Sequence, residues 1–217
     1  MSILEFTDLK YSYDGRKNIL RGVSGKLEQG KLYAILGPSG CGKTTLLSLL
    51  GGLDSPSGGK VCFNGKDIAG TGLSDHRRNH VAFIFQAYNL IDYMTPEENV
   101  ALTSRLPPLP VLKRLGLTEE ESRRNVLKLS GGQQQRVAIA RALASSAPII
   151  LADEPSGSLD EDTAEDIVGI LKECAHRMNR CVVVVTHSNE LAKQADVVMR
   201  LKRGELIMVR EKRERLE

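Results

Sequence analysis

The sequence has no apolar run longer than the five residues 181–185, far short of the roughly 20 that a membrane-spanning helix requires. Its opening residues, Met1-Ser2-Ile3-Leu4-Glu5, lack the basic stretch and apolar core of a secretory leader. Cysteine is scarce: Cys41, Cys62, Cys174 and Cys181 form no CxxC pair and no metal-ligand spacing, which excludes a disulfide framework or zinc site and suits a reducing compartment. We therefore expect a cytoplasmic chain, either free or on the cytoplasmic face of a membrane partner. Excess charge is lacking too. The 30 basic and 27 acidic residues leave a net charge of only +3, so no nucleic-acid partner is expected. No internal repeat or low-complexity tract is present.

What remains is ordinary globular composition, 41% hydrophobic and 26% charged, in 217 residues, enough for one good core with a small inserted subdomain. Residues 4–7 alternate apolar and polar, as a half-exposed strand does, and a turn at Asp14-Gly15 leads to a partner strand over 19–27. Residues 32–36 are continuously apolar, as in a buried parallel strand, and 44–53 read as a helix. Residues 61–63 enter a tight hairpin at Asn64-Gly65. Further buried strands fall at 81–85, 149–152, 182–185 and 197–201, separated late in the chain by helices at 161–178 and 189–195. This alternation predicts an α/β core with a mainly parallel sheet, beside a smaller N-terminal antiparallel sheet.

The region 87–144 differs. It has no convincing strand, carries a loop at Pro107-Pro108-Leu109-Pro110, and then turns helical. Thr118 and Glu121 form a capping box for a helix running toward Leu127. The division expected is a single domain over 1–217, with 1–86 and 145–217 as core and antiparallel subdomain, and about 87–144 as an inserted α-helical subdomain. Residues 210–217, almost wholly charged, read as a solvated helix end.

Chemistry enters at Gly37-Pro38-Ser39-Gly40-Cys41-Gly42-Lys43-Thr44, which fits GxxxxGK[ST] between a buried strand and a helix. Its glycines let several backbone N–H groups converge on one phosphate, and the helix start adds positive potential. Lys43 is placed to reach the β- and γ-phosphates of ATP, Thr44 to ligate Mg²⁺, and Thr45 to contact the α-phosphate. A strand over 149–152 then ends in Asp153 and Glu154. Asp153 is expected to hold Mg²⁺ through water, and Glu154 to polarise the attacking water.

Leu129-Ser130-Gly131-Gly132-Gln133-Gln134-Gln135-Arg136 is a second glycine-rich helix start, with no P-loop lysine of its own. Such an anion site makes sense if it caps the γ-phosphate of an ATP held by another copy of the chain. The octet resembles the signature motif of ATP-binding cassette (ABC) proteins, and the resemblance extends over essentially the whole sequence. It implies an ABC ATPase fold with two ATP molecules sandwiched between two copies, Ser130, Gly131, Gly132 and Gln133 acting in trans. It further implies that Tyr13 stacks on adenine, with Tyr11 a weaker rival, and that Gln86 contacts Mg²⁺ and the attacking water. His187 would contact the γ-phosphate, and Ser158-Leu159-Asp160 would form the loop that crosses the dimer interface.

Residues 129–143 are most similar to the group serving lipoprotein release, macrolide and antimicrobial-peptide export, and cell division. Partners implied are integral membrane permease subunits. Relative to that family, the segment between Gln86 and Leu129 looks short, and Tyr88, Leu90, Ile91, Tyr93 and Met94 are candidates for permease contact or for subdomain core. A soluble cassette, as in iron–sulfur assembly, remains an alternative. A nucleotide kinase leaves residues 129–136 without explanation.

Overall fold

A computed structural model describes residues 2–13, 15, 18–104, 107–157, 159 and 161–212, with Glu161 described in its backbone alone. Two sheets organise these residues. Strands β1 (Ser2–Tyr11), β2 (Leu20–Glu28), β4 (Gly58–Phe63) and β5 (Lys66–Asp67) form an antiparallel sheet in the order β2-β1-β4-β5. Leu4 and Phe6 face its core while Thr7 is exposed, as their alternation requires. The β4–β5 hairpin turns at Asn64 and Gly65, both left-handed with φ of 47° and 77°, the conformation favoured by a two-residue Asn-Gly loop. Of the turn expected at Asp14-Gly15, Asp14 lies outside the described residues.

The second sheet has the order β10-β9-β3-β8-β7-β6. Its strands are β3 (Leu32–Leu36), β6 (Val81–Ile84), β7 (Ile149–Asp153), β8 (Cys181–Thr186), β9 (Val197–Lys202) and β10 (Glu205–Glu211). All neighbours are parallel except β9 and β10. Both faces are covered, which explains why its strands are apolar without alternation. Leu32, Ala34, Ile150, Ala152, Val182 and Val184 pack on the face that meets the long helices. Tyr33, Ile35, Ile149, Leu151, Val183 and Val185 pack on the other, against α1 (Lys43–Leu50) and the antiparallel sheet. Each fully buried leucine or isoleucine contributes roughly 1.5–3 kcal/mol.

The helices are α1, α2 (Ile68–Thr71), α3 (Leu73–Asn79), α4 (Pro96–Ala101), α5 (Pro108–Arg114), α6 (Glu119–Arg123), α7 (Gly131–Ala144), α8 (Glu161–His176) and α9 (Asn189–Gln194). Among the described residues no strand falls between 87 and 144, and α4 to α7 pack on one another.

Four expectations need correction. The helix after the P-loop stops at Leu50 rather than 53, because Gly51 and Gly52 follow and Phe83 packs against Gly51 so closely that a Cβ there would lie 2.0 Å from its ring. The proline-rich 107–110 is no loop: Pro108 and Pro110 occupy the first turn of α5, where a missing N–H costs no helical bond. Thr118 and Glu121 do form a capping box, but α6 ends at Arg123, and Asn125 then starts a 3₁₀ turn (Val126–Lys128) by accepting from the N–H of Leu127. Finally, residues 210 and 211 belong to a strand. Arg203 and Gly204, both with positive φ, turn β9 back into β10, a hairpin arm exposed along most of its length. Residues 213–217 lie outside the described residues.

Candidate functional site

The parallel strands β3, β6, β7 and β8 end on one side of the sheet, where open α/β sheets place their ligands. The loop 37–44 leaves β3 there and enters α1. Gly37 must be glycine, since a Cβ would stand 2.6 Å from the carbonyl oxygen of Leu201. Gly42 starts α1 at φ 102°, which side chains resist. Pro38, Ser39, Gly40 and Thr44 are exposed, Cys41 is half-buried, and Lys43 is only 8% exposed. The Lys43 ammonium donates to the carbonyls of Gly37 (2.8 Å) and Pro38 (3.3 Å) and lies 3.9 Å from Glu154. It is thus drawn back over the loop it belongs to.

The loop is wired to the end of β7. Thr44 Oγ1 donates to Asp153 Oδ2 at 2.7 Å. Along β7, Asp153 shares the face of Ile149 and Leu151, which packs on α1, so the carboxylate arrives where Thr44 begins the helix. Burial pushes the Asp153 carboxyl above its ordinary range; the Thr44 hydrogen bond opposes this, Glu154 adds to it, and Lys43 opposes it. Two oxygen donors, one of them a desolvated carboxylate, make a donor set that fits a hard cation such as Mg²⁺.

Glu154 sits in the left-handed region at φ 46°, and its N–H still bonds to the carbonyl of Val185 at 3.0 Å. Both of its oxygens are held. Thr186 Oγ1 donates to Oε2 at 2.8 Å, the His187 N–H donates to Oε2 at 3.3 Å, and His187 Nδ1 lies 3.0 Å from Oε1. The His187 side chain is otherwise 69% exposed. Thr186 was missing from the sequence reading. It is 1% exposed at the end of an otherwise apolar strand, and that lone polar position was the available signal.

Gln86 is exposed two residues beyond Ile84, which pairs with Ala152 and so sets Gln86 at the same end as Glu154. Tyr13 is exposed, its hydroxyl 2.9 Å from Thr45 Oγ1 and its ring edge-on to Tyr11 at 5.0 Å. Tyr11 is occupied elsewhere: its hydroxyl bonds to Asp54, which pushes its pKa up to about 12. Of the rivals, only Tyr13 has a free face.

Ser130 caps α7, and Gly131, Gly132 and Gln133 form its first turn. Ser130 and Gln133 form a reciprocal capping box, and Gln133 Nε2 donates to Glu121 at 2.6 Å. These bonds stay within the helical region, and Ser130 and Gly131 are exposed. Gln135, part of the octet but given no role from sequence, is buried and donates to the carbonyl of Pro155 at 2.8 Å, tying α7 to the exit of β7. In the expected loop 158–160, Ser158 and Asp160 lie outside the described residues; Leu159 packs on the core and next to Gly132. Of the segment after Gln86, Leu90 packs on the core and Tyr93 is 79% exposed.

The profile of the family described as "ABC transporter" matches residues 20–157. The uncharacterized ABC transporter ATP-binding protein YclH of Bacillus subtilis (strain 168) is 41% identical over 94% of this chain and 95% of its own length. The macrolide export ATP-binding/permease protein MacB of Escherichia coli (strain K12) is 38% identical over 94% of this chain, which spans only 34% of that relative. Among solved structures, the dimeric bacterial ABC transporter cassette MJ0796 superposes with a TM-score of 0.88 at 36% identity, covering 98% of this chain and 99% of that one. Its post-hydrolysis dimer, bound to ADP and Pi, superposes at 0.85.

Proposed function

This chain belongs to the ABC transporter family and is an ABC-type ATP-binding cassette and ATPase; from that premise we propose that it binds ATP with Mg²⁺ between two of its own copies and powers a membrane permease. The observation that carries the reading is the network Thr44–Asp153 and Lys43–Glu154–His187, drawn together at the carboxyl ends of three strands.

In this reading the N–H groups of Gly37 and of residues 39–45 cradle the phosphates, with Pro38 shaping the loop between them, and Lys43 exchanges the carbonyls of Gly37 and Pro38 for phosphate oxygens. Thr44, Asp153 and Gln86 hold Mg²⁺, which neutralises developing phosphate charge when bound. Glu154, fixed by Thr186 and His187, accepts a proton from water in line with the γ-phosphate. His187 turns Nε2 toward that phosphate, and Tyr13 offers its free face to adenine. Ser130, Gly131, Gly132 and Gln133 of the second copy close the site, so hydrolysis removes contacts that bridge the copies.

No helix among the described residues is long and apolar enough to cross a membrane. The translocation path is therefore assigned to permease subunits, with the cassette on their cytoplasmic face and residues 87–144 as the inserted helical subdomain. The relationship to MacB supports the export or force-relaying group. Purified protein should release phosphate from ATP in a Mg²⁺-dependent manner and dimerise when ATP is held unhydrolysed. A chain that stays monomeric with ATP under all conditions overturns the sandwich. Recovery only with soluble partners overturns the permease assignment.

A further inference from the structure

Strand β8 is apolar from Cys181 to Val185 and then ends in Thr186, a residue buried like the rest of the strand. A hydroxyl in such a place costs stability unless it is hydrogen-bonded. Here both of its capacities are used. The Ser188 N–H donates to Thr186 Oγ1 at 3.0 Å, and Thr186 Oγ1 donates to Glu154 Oε2 at 2.8 Å. A backbone N–H can only donate and a carboxylate can only accept, so the hydroxyl proton has one place to point. Valine would suit the same strand position without these bonds, so packing alone does not account for threonine.

The two oxygens of Glu154 are held by different kinds of group. Oε1 faces His187 Nδ1 at 3.0 Å and Lys43 Nζ at 3.9 Å. Both of those side chains turn to phosphate in the proposed function, which uncovers Oε1 once nucleotide is bound. Oε2 takes the Thr186 hydroxyl and the His187 N–H, the latter at 3.3 Å. One donor is a buried side chain at a strand end and the other is backbone, and neither has to leave. The carboxylate also hangs from a left-handed residue, φ 46°, whose N–H bonds to the carbonyl of Val185. Glu154 is therefore tied to the last two residues of β8, through backbone at Val185 and through side chain at Thr186.

We propose that Thr186 is a positioning residue for hydrolysis: by holding Oε2 it aims Oε1, the oxygen that takes the proton from water. The proposal rests on the reading of Glu154 as the base, and adds the atom that acts and the residue that orients it. In the step, one water proton passes to Oε1 while the water oxygen bonds to the γ-phosphorus. The bond from that phosphorus to the bridging oxygen breaks, and ADP leaves. Without the Thr186 bond the carboxylate is free to turn about its terminal torsion, which is broad for glutamate. Fewer nucleotide-bound molecules then hold Oε1 in line, and because Thr186 touches no group assigned to binding phosphate or adenine, the loss falls on kcat.

The test is steady-state phosphate release by the full chain with Mg²⁺ and ATP, beside urea unfolding of each variant. Thr186→Val should lower kcat about tenfold or more, with KM for ATP within about twofold of the parent. Thr186→Ser, which restores the hydroxyl, should recover most of the rate. Ser188→Ala is the structural control: it removes the cap that Ser188 Oγ gives the Leu191 N–H but leaves the Ser188 N–H on Thr186. It should lower the urea midpoint and leave kcat within about twofold. In a Glu154→Gln background, adding Thr186→Val should slow single-turnover phosphate release no further, since both act through one group. Thr186→Ala, measured the same way, stands in if the valine variant does not fold. Normal kcat in Thr186→Val overturns the proposal. So does a Thr186→Ser variant as slow as Thr186→Val, a Ser188→Ala variant equally slow, or a further loss in the Glu154→Gln background. An active parent with an unimpaired Thr186→Val removes the proposal alone, whereas a parent that releases no phosphate removes the proposed function and the proposal with it.

Discussion

The two glycine-rich helix starts of this chain look alike in sequence and are opposite in their wiring. At residues 37–44, Lys43, Thr44, Asp153, Glu154, Thr186 and His187 bond to one another across three strands. At 130–133, the side chains bond within their own region, and Ser130 and Gly131 face outward. The first has its donors and carboxylates already converged. The second spends the donors of Ser130 and Gln133 on each other and on Glu121, and none of these bonds reaches the carboxylates at the strand ends. An anion site that is built but unaddressed from within is what a site acting on a second copy requires.

That contrast can be broken most forcefully at Glu154. Glu154→Gln keeps the shape and the Thr186 bond but removes the proton acceptor, so phosphate release should fall by about 10²–10⁴-fold while ATP binding persists. Normal turnover in this variant would remove Glu154 from the chemistry. Next comes Ser130→Arg, which should lower turnover by about 10²-fold and abolish ATP-dependent dimers in size-exclusion chromatography, with nucleotide affinity of the monomer intact. Loss of monomer affinity would mean that the open region serves its own P-loop.

The seam between the regions gives a smaller effect. Gln135→Leu leaves the Pro155 carbonyl without its buried donor, and thermal or urea unfolding should register a loss of about 1–3 kcal/mol. Smallest is the pH response of His76, buried at the carboxyl end of α1 with Nε2 3.1 Å from the Leu50 carbonyl. Burial holds its imidazole below the ordinary value of 6.5, so the unfolded chain takes up the proton first. Its contribution to stability is complete above about pH 6.5 and is lost as pH falls through the folded value. His76→Gln should flatten urea midpoints between pH 7 and pH 5.5; an unchanged slope assigns the loss to other groups.

Legibility from sequence followed how local each signal was. Residues 32–36 and the P-loop were plain because a buried parallel strand and its phosphate loop are contiguous, and Asp153 and Glu154 because they end an apolar run. The hairpin arm β10 was hidden because its exposed Ile207, Met208 and Val209 break the alternation that marks a half-buried strand. Proline misled at 107–110, since its meaning depends on whether the residue begins a helix or interrupts one. Thr186 and Gln135 were missed for a different reason: each matters through a partner about 20 to 32 residues away, which no window along the chain contains.

The polarity of the six-stranded sheet also says where the chain can be altered silently. Lys43, Thr44, Gln86, Asp153, Glu154 and His187 all follow or close the carboxyl ends of its parallel strands, and the turns feeding the amino ends carry none of them. The exposed Gln29, in the turn before β3, lies a full strand length from the P-loop that leaves its other end. A reporter inserted there should ride on a working cassette, whereas the same insertion at Ser39 should stop it.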